Sequence, residues 1–381
     1  MLKKIVFDDF VRLGRGFDLP DNKIVEGEYP VIASTNIKAF HCEYKVDPPV
    51  VVTGRSGSLG KVQYVTSKCW PLNTALYSKD CRSNVPQYIY YYLQTMHLEQ
   101  YNAGAGVPTL NQNHLQRLKI LVHEPSEQTI VASILAAYDN LIENNNKRIK
   151  ILERMAENLY KEWFVRFRFP NYQNTEFENG IPDGWRTVTL DSILSKIATG
   201  LNPRKNFVLG NGDNYYVTIK NMGDNNIYLD DRCDKVDDEA IIKINKRSDL
   251  RQGDLLFSGI GTIGRTYLIN IPTNNWNISE SVFTMRPKKI VSSEYLYMLL
   301  LSDDLQNYCQ AKANGSAQKG IRMAVLRKYT FLLAPIAIIE NFTKKARRIL
   351  NLISLIREKN QNLAKQRDLL LPRLMSGKLE V

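Results

Sequence analysis

Cysteine, histidine and long apolar runs are all scarce in this chain of 381 residues. The five cysteines (Cys42, Cys69, Cys81, Cys233, Cys309) are odd in number and form no C-x-x-C pair. That argues against a disulfide framework and against a cysteine-built zinc site. The four histidines (His41, His97, His114, His123) all precede residue 124, and His41 beside Cys42 has no second pair at ligand spacing. No metal or cofactor is therefore expected. No apolar stretch approaches the roughly 20 residues of a membrane helix. The N-terminal MLKKIVFDDF turns acidic where a signal peptide needs its apolar segment. A soluble cytoplasmic protein is expected.

A nucleotide loop is missing too, although VTGRSGSLGKVQ (52–63) resembles one at first sight. A phosphate-cradling loop needs four residues between its outer glycines and a hydroxyl after the lysine. Here Arg55 to Leu59 separate Gly54 from Gly60, one residue too many, and Val62 stands where the hydroxyl belongs. The β-branched runs on either side, VVVTG and KVQYV, read instead as two strands joined by a glycine-rich turn.

Acidic residues are outnumbered, 39 Asp and Glu against 51 Lys and Arg, for a net charge of +12. A basic balance of this size favours a polyanionic partner, most often nucleic acid.

What the chain has in abundance is itself. GSLGK (57–61) recurs as GTIGR (261–265), 204 residues on (261 − 57). QYIYYYL (87–93) matches EYLYMLL (294–300), and HLQRLKILVHEP (114–125) matches AVLRKYTFLLAP (324–335). NLI at 140–142 returns at 351–353, a separation of 211 (351 − 140). Recurrence in constant order marks an internal repeat. The expected architecture is α+β: two mixed α/β domains separated by two long helices that form an antiparallel coiled coil. The division runs 1–124 for the first domain, 125–168 for the central helix, 169–334 for the second domain and 335–381 for the C-terminal helix.

Both helices show apolar residues at spacings of three and four. The first series is Ile134, Tyr138, Leu141, Asn145, Ile149, Leu152, Ala156, Leu159 and Trp163; the second is Ile349, Leu352, Ile356, Asn360, Leu363, Arg367, Leu370 and Leu374. At 1.5 Å per residue, about 40 residues give roughly 60 Å, longer than a domain of this size needs to cover its core. Asn145 and Asn360 each interrupt a seam, where a polar residue costs stability and fixes register. Leu152, Leu159, Trp163, Leu363, Leu370 and Leu374 complete the expected pairing.

Two similar heads on a rigid spacer suit a duplex read at two places, about one helical turn of roughly 34 Å apart or a multiple of it. Candidates for phosphate contact are Arg55, Ser58 and Lys61 in the first glycine turn and Thr262 and Arg265 in the second. The corresponding stretches NAGAGVPTLNQNHL (102–115) and KANGSAQKGIRMAVL (312–326) combine glycine with base-reading side chains, of which Asn111, Asn113, Lys319 and Arg322 are the candidates. Lys220 and Asn221 lie opposite Ser34-Thr35-Asn36 and join them.

The ordered set of motifs resembles the specificity subunit of Type I restriction–modification enzymes. ENLYKEWFVRFRFPNY (157–172), IPDGWRTVTLDSI (181–193) and LLLPRLMSGKL (369–379) carry the resemblance, which covers nearly the whole chain. The first copy lacks an IPxGW opening. The resemblance implies a non-catalytic subunit that binds an asymmetric bipartite site in double-stranded DNA across an unread spacer. It also implies two modification (methyltransferase) subunits docked on the helices, and restriction (translocase and nuclease) subunits beside them.

The competing class is a single-chain methyltransferase or nuclease. FSGIG (257–261) and DPPV (47–50) look like methyltransferase motifs, but Val50 cannot stack on a flipped base. The repeat places FSGIG opposite TGRSG and DPPV opposite RQGD, neither of them catalytic. A coiled-coil adaptor without nucleic acid is the third class. It predicts no salt-dependent DNA binding.

Overall fold

The computed structural model describes residues 2–315 and 319–380. It divides into two compact units, Met1–Asn146 with Arg357–Val381, and Lys147–Ile356.

The first unit contains β1 (Lys3–Val6), α1 (Phe7–Phe10), β2 (Arg12–Arg15), β3 (Tyr29–Ile32), β4 (Ile37–His41), β5 (Val50–Gly54), β6 (Val62–Val65), β7 (Trp70–Pro71), β8 (Ala75–Asp80), α2 (Pro86–Thr95), α3 (Gln112–Gln116) and β9 (Lys119–Val122). It also holds the start of α4 (Pro125–Tyr160). Its strands pair as β2-β8-β5-β6, β4-β3-β7 and β1-β9.

The second unit holds the end of α4 and then β10 (Phe177–Glu178), β11 (Ile181–Pro182), β12 (Arg186–Thr189), α5 (Leu190–Ile193), β13 (Leu194–Thr199), β14 (Asn214–Val217), β15 (Met222–Gly223), β16 (Asn226–Ile227) and β17 (Asp234–Val236). There follow α6 (Asp238–Ser248), β18 (Leu255–Ser258), β19 (Thr266–Leu268), β20 (Trp276–Ile278), β21 (Val282–Pro287), α7 (Ser293–Leu301), α8 (Asp303–Lys312), α9 (Met323–Leu326), β22 (Thr330–Leu333) and the first part of α10 (Ile336–Met375). Its sheets, β13-β21-β18-β19, β17-β14-β20 and β12-β22, repeat the first unit strand for strand. Even the unusual parallel pair recurs, β3 with β7 and β14 with β20. The hairpin β15–β16 and helix α6 occur only in the second unit.

Local chemistry explains these elements. β5 is buried throughout and β-branched over its first four residues, as a central strand requires. QYIYYYL forms α2, with Tyr88, Ile89, Tyr91 and Leu93 in the core. The polar edges of these tyrosines are satisfied inside the protein: Tyr88 Oη meets His123 Nδ1 at 2.8 Å, and Tyr91 Oη donates to Asp139 on α4. Pro125 is the first residue of α4, where its missing N–H costs nothing. In the second unit the turn of IPDGW needs Gly184 at φ +78°. It delivers Trp185 against Phe164, Phe167 and Phe169, with ring centroids 6.0, 5.0 and 5.9 Å away. Phe164 in turn packs edge-on against Tyr295 and Phe342, each at 4.9 Å. Such pairs add about 0.5–1.5 kcal/mol each beyond area burial.

The long helices run antiparallel within each unit. In the first, Asn145 Nδ2 donates to Asn360 Oδ1 at 2.8 Å, and Asn360 Nδ2 donates to Asn146 Oδ1 at 2.9 Å. Asp139 of α4 is paired with Arg367 of α10. Leu370 and Leu374 join the core of the first domain, with Leu374 fully buried, and Leu363 is half-buried. In the second unit Ile149 and Leu152 pack on Ile349, Ile353 and Ile356, while Leu159 and Trp163 enter the domain core. Two seam residues are corrected. Leu352 is 38% exposed and Ile353, at 3%, holds its place; Leu141 is 46% exposed. Positions 352 and 353 both satisfy three-and-four spacing, so periodicity alone cannot choose between them. The α-helical winding of α4 also stops at Tyr160, and Lys161–Val165 is wound as a wider π turn. Among the described residues no helix is long and apolar enough to cross a membrane.

Candidate nucleic-acid interface

Each unit folds its glycine turn in the same way. Gly57 and Gly60 sit at φ +88° and +87°, and their counterparts Gly261 and Gly264 at +73° and +96°. Side chains disfavour this left-handed region, so the turn demands glycine at both places. The turn is clasped by the second glycine-bearing stretch. In the first unit Gly57 N donates to Pro108 O at 2.9 Å and Leu110 N to Arg55 O at 2.8 Å. In the second, Gly261 N donates to Lys319 O and Ile321 N to Gly259 O, both at 2.8 Å. Every partner is shifted by the same 204 residues on the turn (261 − 57) and 211 on the loop (319 − 108).

A third segment closes on the turn. In the first unit Ser34 Oγ donates to Ser56 O at 3.0 Å and to Thr74 O at 2.7 Å, and Gln63 Nε2 donates to Ala33 O. In the second, Arg265 Nη1 donates to Met222 O and, at 3.4 Å, to Ile219 O. Three loops distant in sequence thus form one surface in each unit.

The expected contact residues divide on this surface. Ser58, Lys61, Asn113, Lys220, Thr262, Lys319 and Arg322 are exposed. Arg55 is half-buried, with Nη1 donating to Asn73 O at 3.2 Å. Asn111 caps α3 by accepting from Asn113 N at 3.0 Å. Asn221 is buried: Oδ1 accepts from Thr218 N at 2.8 Å and Nδ2 donates to Arg232 O at 2.9 Å, which places its amide inside the protein rather than at a base edge. Arg265 is turned inward as well, and its Nε is buried without a partner. Ser316, Ala317 and Gln318 of the second stretch lie outside the described residues. The bracing by Ser34 and Gln63 had no signal in the sequence, because nothing in an isolated Ser or Gln marks the carbonyl it will find.

Burial pushes the Cys69 thiol up to about 11 and the Cys309 thiol to about 12, where little thiolate forms. Burial pushes the His123 imidazole below its ordinary value, in the core beside Tyr88. FSGIG proves to be the end of β18 entering the glycine turn. Among the described residues no group of three or more His, Cys, Asp or Glu is placed to hold a metal ion.

A duplicated α+β module, each copy presenting one clasped loop surface, defines a protein built by internal repeat. The sequence profile of the family described as "Type I restriction modification DNA specificity domain" matches residues 7–154 and again 182–365, and the chain belongs to that family. Its sequence is 25% identical over 309 residues to the Type I restriction enzyme MjaIX specificity subunit of Methanocaldococcus jannaschii, covering 78% of this chain and 70% of that protein. It is 21% identical over 335 residues to the HindI specificity subunit of Haemophilus influenzae, covering 71% of each. The crystal structure of the S subunit of a Type I restriction–modification system from M. genitalium has a similar fold, with a TM-score of 0.61 at 15% identity, covering 98% of this chain and 96% of that one.

Proposed function

We propose that this protein is the DNA-recognition subunit of a Type I restriction–modification complex and carries no catalytic site of its own. Each unit reads one half of an asymmetric bipartite site in duplex DNA, and the bases between the halves are unread. The functional division is two target-recognition domains, 1–124 and 169–334, with helical regions 125–168 and 335–381 that dock two modification subunits; restriction subunits complete the assembly. The observation that carries this reading is the twice-built loop surface, whose backbone bonds recur at fixed offsets while its exposed side chains differ. Equal scaffolds with unequal side chains suit two different half-sites. Lys61 supplies a cation for phosphate, Lys220, Lys319 and Arg322 supply donors for base edges, and Asn113 supplies an amide that can pair with adenine. Ser58 and Thr262 add hydroxyls.

Mapping methylated adenines in the source genome tests the proposal. A gapped two-part motif that disappears on deletion of this gene is expected. Persistence of every methylated motif after deletion would sink it. S-adenosylmethionine binding or methyl transfer by the isolated chain would favour the single-chain methyltransferase instead.

A further inference from the structure

The second unit carries a hairpin that the first does not, and chain offsets locate it. Ile32 and Val217 accept equivalent backbone bonds, from Leu72 and Ser279, and differ by 185 (217 − 32). The glycine turns differ by 204. The second unit therefore gains 19 residues between these points (204 − 185), which are spent on β15–β16 and α6. Between β3 and β4 the first unit has only residues 33–36; between β14 and β17 the second has 218–233.

The hairpin is firmly rooted. Met222 and Ile227 are buried in a core cluster with Trp276 and Ile278. Thr218 and Asn221 form a reciprocal cap before it, and Tyr228 N donates to Asn221 O at 2.9 Å behind it. A Cβ on Gly223 would come within 2.9 Å of the Tyr228 ring. At the two-residue tip Asn225 adopts φ +54°, and its Nδ2 donates to Glu153 Oε1 of α4 at 3.3 Å.

Arg265 holds this hairpin to the glycine turn. Its equivalent in the first unit, Lys61 (61 + 204), is exposed, whereas Arg265 sends Nη1 to the carbonyls of Ile219 and Met222 at the hairpin's entrance. Nη1, spent on these two backbone carbonyls, is not presented to a phosphate.

Resting on the function proposed above, we infer that β15–β16 is an additional reading element of the second unit and that Arg265 is the positioning residue that sets it. Lys220 and Asp224 are exposed and Asn226 half-exposed along this element. Their donors and acceptors match base edges in the major groove, an ammonium for guanine O6 and N7, a carboxylate for cytosine N4 and an amide for adenine.

The test uses the full-length chain selecting from a randomised duplex pool, with salt titration of the duplexes recovered. Wild type should yield a two-part motif. Arg265→Met should blur base preference in one half only and leave the salt slope unchanged. Lys61→Met should keep both halves and lower the slope by about one, as a lost phosphate contact does. Asp224→Ala at the exposed tip, which threatens no core contact, should alter the same half as Arg265→Met. A drop in salt slope for Arg265→Met with both halves intact would make Arg265 a phosphate contact and overturn the inference. So would an unaltered motif in both Arg265→Met and Asp224→Ala. Hydrogen exchange judges the clasp without DNA: faster exchange confined to residues 219–228 is expected in Arg265→Met, and unchanged protection there refutes it. If wild type selects no motif, the proposed function falls and takes the reading role with it, while the exchange result still decides the clasp.

Discussion

Replacing Asn145 and Asn360 together by leucine probes what a polar pair does inside an otherwise apolar seam. Asn145 is buried and Asn360 half-buried, and the substitution removes two amide bonds, of 2.8 and 2.9 Å. Each such bond contributes about 1 kcal/mol net, and removing both partners of the inner bond leaves no orphan there. Burying leucine at position 145 returns about 1.5–3 kcal/mol, and better helix propensity adds roughly 0.5 kcal/mol per site. The first unit should therefore gain about 0.5–2 kcal/mol, and its melting temperature should rise by roughly 1–8 °C. Register should suffer in exchange. Disulfide trapping between Asp139→Cys and Arg367→Cys reports it, since that pair replaces the neighbouring ion pair and leaves the asparagines to hold alignment. In a Cys42→Ser background the trapping yield should fall when both asparagines become leucine. A lower melting temperature, or an unchanged yield, would refute the reasoning.

Three further outcomes are expected. Ile353→Ala should cost about 2–5 kcal/mol by cavity formation, while Leu352→Ala should cost within roughly 0.5 kcal/mol as an exposed change; reversed costs in urea melts would restore the original seam. Burial holds the His123 imidazole below its ordinary value, so its neutral form favours the fold above the unfolded value of about 6.5, and that stability is lost as pH falls; His123→Gln should flatten the decline in melting temperature between about pH 7.5 and 5.5 relative to wild type. Gly264→Ala, at φ +96°, should destabilise the second unit by at least about 1 kcal/mol, whereas an unchanged urea midpoint would show that the turn tolerates a side chain.

The repeat was legible because duplicated scaffolds keep residues that backbone geometry demands. Gly57, Gly60, Gly261 and Gly264 all occupy left-handed positions, so the recurrence of GSLGK as GTIGR betrays the turn from the residues alone. The long helices were legible from their periodicity, and the asparagines from their misfit in an apolar seam. What stayed hidden depends on where a side chain points. Arg265 and Lys61 occupy equivalent positions and look interchangeable in sequence, yet one faces a pair of carbonyls and the other solvent. Asn221 has the side chain of a base reader and instead caps a turn, as short amides do wherever a backbone N–H lies within reach. The hairpin β15–β16 is too short to leave a periodic trace, and only the change of offset from 185 to 204 discloses it.

The make-up of the first unit has a consequence for how the protein is born. Its core includes Leu374 and Met375, from the far end of the chain, beside Phe7, Phe10 and Val11. During synthesis at about 5–20 residues per second, the roughly 200 residues between Asn146 and Arg357 take on the order of 10–40 s to emerge. Throughout that interval the N-terminal sheets exist without the helix that seals them, and the second unit is complete before the first. The nascent first unit is thus an open socket until its own C-terminal helix arrives, and in that interval a matching helix from another copy of the chain could fill it.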